Sequence, residues 1–467
     1  MRYVLTRLVW AVAVGCIGPS ISFTEAAPLR VATFRCDVTP PLGFLAYPPT
    51  FQPLQKIEHP LLAKGIVLDD GSRRYVLCAI DWCALCNSTF DLFCRKVAEG
   101  AGTDVTRVAV HTVHQHTAPL ADNDAYRLLL QTKDPPACPD LNFFPEMADR
   151  LKAAVQDSLG WLQPFDRIGS GAGKVDRVAS TRRLIEKDGK VHHPRWSLVR
   201  GKDLPLRDAP EGAIDPLLRT VTLAQGGKPL VRLHYYACHP QSFYGDPRVS
   251  YDFPGMAREE LEKKENVFQV YFTGCAGDVL VGKYNDGTPV TREQFAQRLF
   301  AGMEGAIAAT RFAPAESIQW RSTAVKLPLY AGPARTVEEN RARMANPKLD
   351  AGQRLESGAM LLAFAQRIER PLPLSSLQIG RVHLVDLPGE CLVDYQKFAQ
   401  RSAPDDFVAV AAYTDLGPGY ICTDKAFEEG GYEPTDTGVG PGSEPLLKAA
   451  IVTLLGAKGM IQTGAVK

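Results

Sequence analysis

The segment AVHTVHQHTAP, residues 109–119, places three of the chain's nine histidines, His111, His114 and His116, within six positions. Val108 to Val110 reads as the end of a buried strand, along which successive side chains face opposite ways. On that reading His114 and His116 point to one side and His111 to the other. Two imidazoles converging just past a strand can hold a metal ion, move a proton, or hydrogen-bond within a polar loop. The segment alone leaves all three open.

A catalytic zinc site draws about three or four nitrogen or oxygen ligands from separate elements and keeps one position open. The ends of other apolar runs are therefore the next place to look. RRYVLCAID ends at Asp81, PLVRLHYYACHP carries His239, and VFQVYFTGCAGD ends at Asp278. RVHLVDLPGE ends at Glu390 and FVAVAAYTDLGPGY at Tyr420. Each run is rich in β-branched and aromatic residues and is stopped by polar or Gly/Pro punctuation, so each reads as a strand. In open α/β sheets the loops leaving strand ends converge on a crevice, and these strands all end in polar groups. Between them FPGMAREELEKKE (253–265), residues 291–311 and residues 337–368 have helical character. The expected fold class is mixed α/β (α+β), with the metal site at strand C-terminal ends. No internal repeat and no long low-complexity linker is visible, which predicts one continuous domain.

Composition narrows the partners. The 467 residues are 45% hydrophobic and 22% charged, with 53 basic against 52 acidic side chains and a formal net charge of +1. Such a balance gives no electrostatic footprint for nucleic acid or an anionic membrane, so a small molecule or a partner with an uncharged surface is expected. At the N-terminus Arg2 and Arg7 precede an apolar run from Leu8 to Ile17, followed by small residues up to Ala26 and Ala27. This predicts a signal peptide over residues 1–27 and a secreted or periplasmic protein, with no transmembrane segment in the mature chain. A lipidation box at Cys16 is the weaker reading, because Ala13 stands where a larger aliphatic residue is usual. Ten cysteines remain after residue 27. Cys83 and Cys86 form a CxxC without a second one to complete a four-sulfur site, so the expectation is small buried thiols plus one or two disulfides.

Taken together, the motifs resemble the neutral/alkaline (non-lysosomal) ceramidase family over nearly the whole mature sequence. CDVTPPLG from Cys36 is similar to the family's D-[IV]-T-P element, VHQHTAP to T-H-T-H-S-[GA]-P, and YYACHP to its [AV]-H strand end. TGCAGDV is similar to the G-D-V turn, LPGE to the P-G-E turn, and GYICTDKAFEEGGYE to G-Y-[IV]-T-T-x-E-E-Y-x-x-Q-x-Y-E. The resemblance implies a catalytic-domain fold over residues 28–467 and a Zn2+ cofactor held by His114, His239, Glu390 and Tyr420. It further implies His116 as a proton carrier or substrate contact, with Arg182, or its neighbour Arg183, and Tyr432 near the scissile amide. The implied activity is hydrolysis of an amide in a ceramide-like or other N-acylated substrate by zinc-activated water. A zinc esterase, or a secreted binding protein that keeps fold and metal without catalysis, are the alternatives.

Two departures stand out. The family carries Ser-Pro after G-D-V, whereas this chain reads GDVLVGK with Leu280 in the serine's place. The chain also ends soon after Tyr432, so the family's C-terminal immunoglobulin-like domain is not expected.

Overall fold

The computed structural model describes residues 27–46, 52–243, 247–332 and 336–456. The expected signal peptide, Ala27 excepted, and the Cys16 lipidation reading lie outside the described residues.

Strand Arg30–Asp37 pairs antiparallel with Leu62–Asp69, which pairs antiparallel with Arg74–Ile80. The chain then passes through helix Asn87–Ala101 and returns as strand Val108–Thr112, parallel to Arg74–Ile80. The same order recurs in strands Arg167–Lys174, Leu217–Gln225 and Lys228–Tyr236, helix Asp252–Glu265 and strand Phe268–Thr273. It recurs again in Gln319–Val325, Leu372–Ile379 and Val382–Asp386, helix Val393–Ser402 and strand Phe407–Ala411. The mixed α/β fold is therefore built from three β-β-β-α-β units, a repeat of topology that the sequence does not display.

The three returning strands meet. Thr112 N–H donates to the Tyr413 carbonyl (3.0 Å), Ala412 N–H to the Thr273 carbonyl (3.0 Å), and Thr273 Oγ1 to the Val113 carbonyl (2.7 Å). His111 lies at this junction. Its Nε2 accepts from Thr273 N–H (3.0 Å) and its Nδ1 donates to the Ala412 carbonyl, so both ring nitrogens are used in joining the sheets. Burial pushes its pKa down to about 3, which keeps it neutral.

The six strands expected from apolar runs are all present, and they are the third and fourth strands of the three units. Helix Asp252–Glu265 matches its expected span, and Pro289–Ala308 matches the second. The latter packs directly on Arg167–Lys174, because a Cβ at Gly171 or Gly173 would sit 2.1 Å from the Ala306 or Gly302 carbonyl. The expected 337–368 helix is instead four pieces: Val337–Ala345, Ala351–Arg354, a π-helical turn Leu355–Met360, and Leu361–Gln366. Pro347 prevents continuation of the first piece, and Asp350 caps the second by accepting from Gln353 N–H (2.8 Å).

The expectation of disulfides is corrected: all ten described cysteines are free, and all but the half-buried Cys138 are buried. They serve as small apolar core groups. Among the described residues no helix is long and apolar enough to cross a membrane.

Candidate metal centre

Past strand Val108–Thr112 the chain leaves the extended conformation, and His114 adopts a left-handed φ of 70°. Such a conformation costs a non-glycine residue about 1–3 kcal/mol. It is held by Val113 N–H donating to the Ile80 carbonyl and His114 N–H to the Trp82 carbonyl, each at 2.9 Å. His239 follows strand Lys228–Tyr236 and is tied by its N–H to the Val279 carbonyl (2.9 Å). Glu390 follows strand Val382–Asp386 and lies in register with Tyr420 in a short parallel pair. The end of one unit's fourth strand thus meets the ends of the third strands of the other two.

The three donor atoms converge. His114 Nε2 and His239 Nε2 are 3.1 Å apart, and Glu390 Oε2 lies 3.4 Å from the first and 3.1 Å from the second. Each imidazole gives its Nδ1 proton to a backbone carbonyl, His114 to Cys83 (2.6 Å) and His239 to Ala276 (2.6 Å). Both Nε2 atoms therefore present lone pairs to one another and to a carboxylate. Without a cation that arrangement is repulsive; with one it is a ligand set with its outer hydrogen bonds already made. Burial depresses the His239 pKa to about 4, keeping the ring in the neutral form a ligand needs. The donor set fits a divalent, zinc-like ion. Cys83, His114 and His116 also approach one another, but the Cys83 sulfur is 4.0 Å from the His114 Nδ1 already given to a carbonyl. Burial pushes that thiol well up, so it makes the poorer set.

Around these groups is a cavity of about 220 Å³. Leu120, Met360, Leu361 and Leu416 make an apolar wall, and Arg182, Tyr420, Tyr432 and Trp196 face it. His116 Nε2 is 3.3 Å from His114 Nε2, while Gln241 Nε2 donates to His116 Nδ1 (3.1 Å). That bond leaves the His116 proton on Nε2, facing the centre. Ser197 Oγ bonds in turn to Gln241 Oε1. Burial drives the His116 pKa well down, and the neighbouring imidazoles add to the effect.

Tyr420 accepts from Arg182 Nη1 (3.0 Å), and the guanidinium carbon lies 5.0 Å from the Tyr432 ring centroid. Arg182 lines the cavity. Arg183 turns away to Glu433 (2.7 Å) and Glu429 (3.0 Å), which separates the two arginines that the sequence left ambiguous.

Several strand-end groups expected to face the crevice do not. Asp81 is buried in a two-pronged pair with Arg258, both contacts 2.9 Å, and Asp278 accepts from Val393 N–H (2.9 Å). Leu280 is 1% exposed, pairs with Ser180, and is absent from the cavity lining. The Leu280 side chain is therefore packed in the interior and does not line the metal cavity. Its Cδ1 packs near Gly282, which in turn lies under the Trp196 carbonyl. A Cβ at Gly282 would meet that carbonyl at 2.1 Å. Gly282→Ala is expected to displace the Trp196–Ser197 segment and to lower the unfolding temperature, measured by thermal denaturation.

Sequence reasoning missed Tyr413, whose ring stacks on His114 at 4.4 Å and whose own φ is 64°. It also missed Trp196, Ser197, Gln241 and Asp436, which lie on irregular segments that no motif marks, and Glu356 in the π-helical turn. Gln241 had one available signal, since a polar residue just past the His239–Pro240 strand end is a candidate to orient a nearby imidazole, here His116.

No family model matches the sequence, and no curated protein matches it. Solved structures do. A ceramidase complexed with C2 superposes with a TM-score of 0.67 at 16% identity, over 92% of this chain and 74% of that one. The neutral ceramidase from Pseudomonas aeruginosa superposes with a TM-score of 0.66, again at 16% identity over 92% and 74% of the two chains. The chain has the fold of these ceramidases.

Proposed function

We propose that this protein is an exported, zinc-dependent hydrolase that cleaves the amide bond of a ceramide-like or other N-acylated, lipid-like substrate. The observation that carries the reading is the pair of Nε2 lone pairs, 3.1 Å apart, aimed with the Glu390 carboxylate into a half-apolar cavity. The fold shared with the ceramidase structures supports the same chemistry. His114, His239 and Glu390 would hold the ion, with Tyr420 as fourth ligand. When bound, zinc polarises a carbonyl and lowers the pKa of water from 15.7 toward about 7.

The remaining steps belong to the chain's own side chains. The apolar wall takes the acyl portion and excludes bulk water. Arg182 holds the Tyr420 hydroxyl by its Nη1 and stands against the Tyr432 ring, fixing both phenols at the cavity wall. Burial holds the Tyr432 phenol well above its ordinary pKa, so it keeps its proton. Tyr432 is then the donor to the carbonyl oxygen as it becomes negative, a contribution of about 3 kcal/mol for one such donor. His116 presents an Nε2–H, held there by Gln241, as a hydrogen-bond donor to the departing amine, and the proton that the amine takes up is the one the attacking water releases.

The test is a screen of purified, zinc-loaded protein against N-acyl amides, ceramide and simple esters. Amide turnover that disappears with chelation and returns with zinc is expected. Ester turnover without amide turnover would select the esterase alternative, and stoichiometric zinc with no turnover would select the binding protein.

Leu280 gives a separate expectation. Because its side chain is packed against the Gly282 turn and away from the cavity, Leu280→Ser is expected to cost about 2–5 kcal/mol of stability, as a large-to-small core change does. Turnover of ceramide per zinc should not rise. Thermal unfolding and a ceramide assay on the same preparation measure both. A gain on ceramide would mean that the serine position takes part in attack.

A further inference from the structure

A second cleft, of about 310 Å³, shares no lining residue with the metal cavity. It lies between the edge strand Val108–Thr112 of the first unit and strands Gln319–Val325 and Leu372–Ile379 of the third. Its volume is at the lower end of the roughly 300–1,000 Å³ typical of small-molecule sites. Phe90, Val110 and Leu374 give it apolar walls.

Within that apolar surface is one carboxyl. Asp386, 4% exposed, is the only ionisable side chain in the lining, and no lysine or arginine lines the cleft with it. Its one side-chain hydrogen bond is a long one, 3.4 Å from Ser375 Oγ. A second hydroxyl, Thr414 Oγ1, gives its proton to the Leu387 carbonyl (3.1 Å). Both hydroxyl protons are thereby committed, and the lone pairs of Ser375 Oγ, Thr414 Oγ1 and the carboxylate remain as acceptors. Burial raises the Asp386 pKa to about 7, as expected for a carboxyl that lacks a cationic partner in the protein itself.

We propose that this cleft is a binding site for a compact primary ammonium ion with an apolar body, its three N–H groups donating to Asp386, Ser375 and Thr414. The match is of kind: hydroxyl oxygens beside one carboxyl, in a partly apolar enclosure with no cation of its own; the hydroxyl residues Thr106, Ser322 and Thr323 also line the cleft. An alcohol would forgo the charge, and a carboxylate would be repelled. The site does not depend on the hydrolase reading, although amines released by amide cleavage belong to the same chemical class.

The probe is n-hexylammonium chloride, titrated calorimetrically into the full-length zinc-loaded protein, with n-hexanol as the uncharged control. One saturable site is expected, with n-hexanol weaker by at least about tenfold and Asp386→Asn losing affinity by a similar factor. Ala324→Trp, at the exposed rim, should also abolish binding by filling the cleft without touching its floor. That variant decides the matter if Asp386→Asn does not fold. Binding should persist in a His114→Ala, Glu390→Gln background, where the metal cavity is altered. Equal binding of n-hexanol, unchanged affinity in both cleft variants, loss only in the metal-cavity background, or no binding at all would overturn the assignment.

Discussion

Replacing His114 by Ala together with Glu390 by Gln is expected to reduce zinc from about one ion per chain to a trace, and amide turnover with it. The two substitutions remove one Nε2 donor and the only carboxylate of the cluster, leaving His239 as the sole member of the triad. Glutamine keeps the size of the side chain but cannot supply a negative charge. Because His114 also stacks on Tyr413 at 4.4 Å, its removal opens a gap in a buried ring contact. Circular dichroism on the same sample therefore separates metal loss from unfolding. Elemental analysis of protein purified without chelator gives the readout. Undiminished zinc in the folded double variant would move the site. His111 and His234 are poor substitutes, since each already uses both ring nitrogens: His111 with Thr273 and Ala412, His234 with Thr220 and Gln269. Cys83 with His116 would then be the remaining candidate.

How much of this was legible in the sequence follows from where the signals lie. The six strands read from apolar runs are the parallel pairs at the inner edges of the three sheets, nearly all buried. Strands covered on both faces are written as near-continuous β-branched runs, which is why they could be read. The outer strands carry no such signature. Arg167–Lys174 alternates glycines to admit a helix, and Gln319–Val325 is largely solvent-facing. The threefold topology stayed hidden for the same reason: pairing order is conserved across the units while residue types answer to different neighbours. At the site, His239 and Glu390 drew attention because each follows a readable strand, whereas the choice of His114 over His116 came only from the family resemblance. Strand alternation alone would not have brought His114 to His239 and Glu390. Its left-handed backbone begins outside the strand, and only the packing of Trp82 and Ile80 against it accounts for that turn. Tyr413 reaches the same imidazole from a different sheet, a contact that no local spacing encodes.

Tyr432→Phe is expected to keep its zinc and its fold while losing about ten- to a thousandfold in kcat, the range seen when one oxyanion donor is removed. The ring is held by Trp196 at 4.9 Å, by Tyr420 at 5.6 Å and by the Arg182 guanidinium at 5.0 Å, and phenylalanine preserves all three contacts. Only the hydroxyl disappears. A donor that acts chiefly in the transition state lowers kcat and leaves KM nearly unchanged, which distinguishes it from a group that merely shapes the cavity. Tyr420→Phe is the companion measurement. It removes the oxygen that accepts from Arg182 and lies in register with Glu390, so it is expected to lower zinc affinity as well as rate. His116→Gln should resemble Tyr432→Phe in retaining metal, because its proton-bearing Nε2 faces the centre and only Nδ1 is bonded to Gln241. The pattern across the three variants carries the assignment. Zinc lost from Tyr432→Phe and retained in Tyr420→Phe would exchange the two tyrosines, making Tyr432 the ligand and Tyr420 the donor. Zinc retained in both with an unchanged rate would remove both phenols from the chemistry and leave the oxygen to Arg182 and the ion.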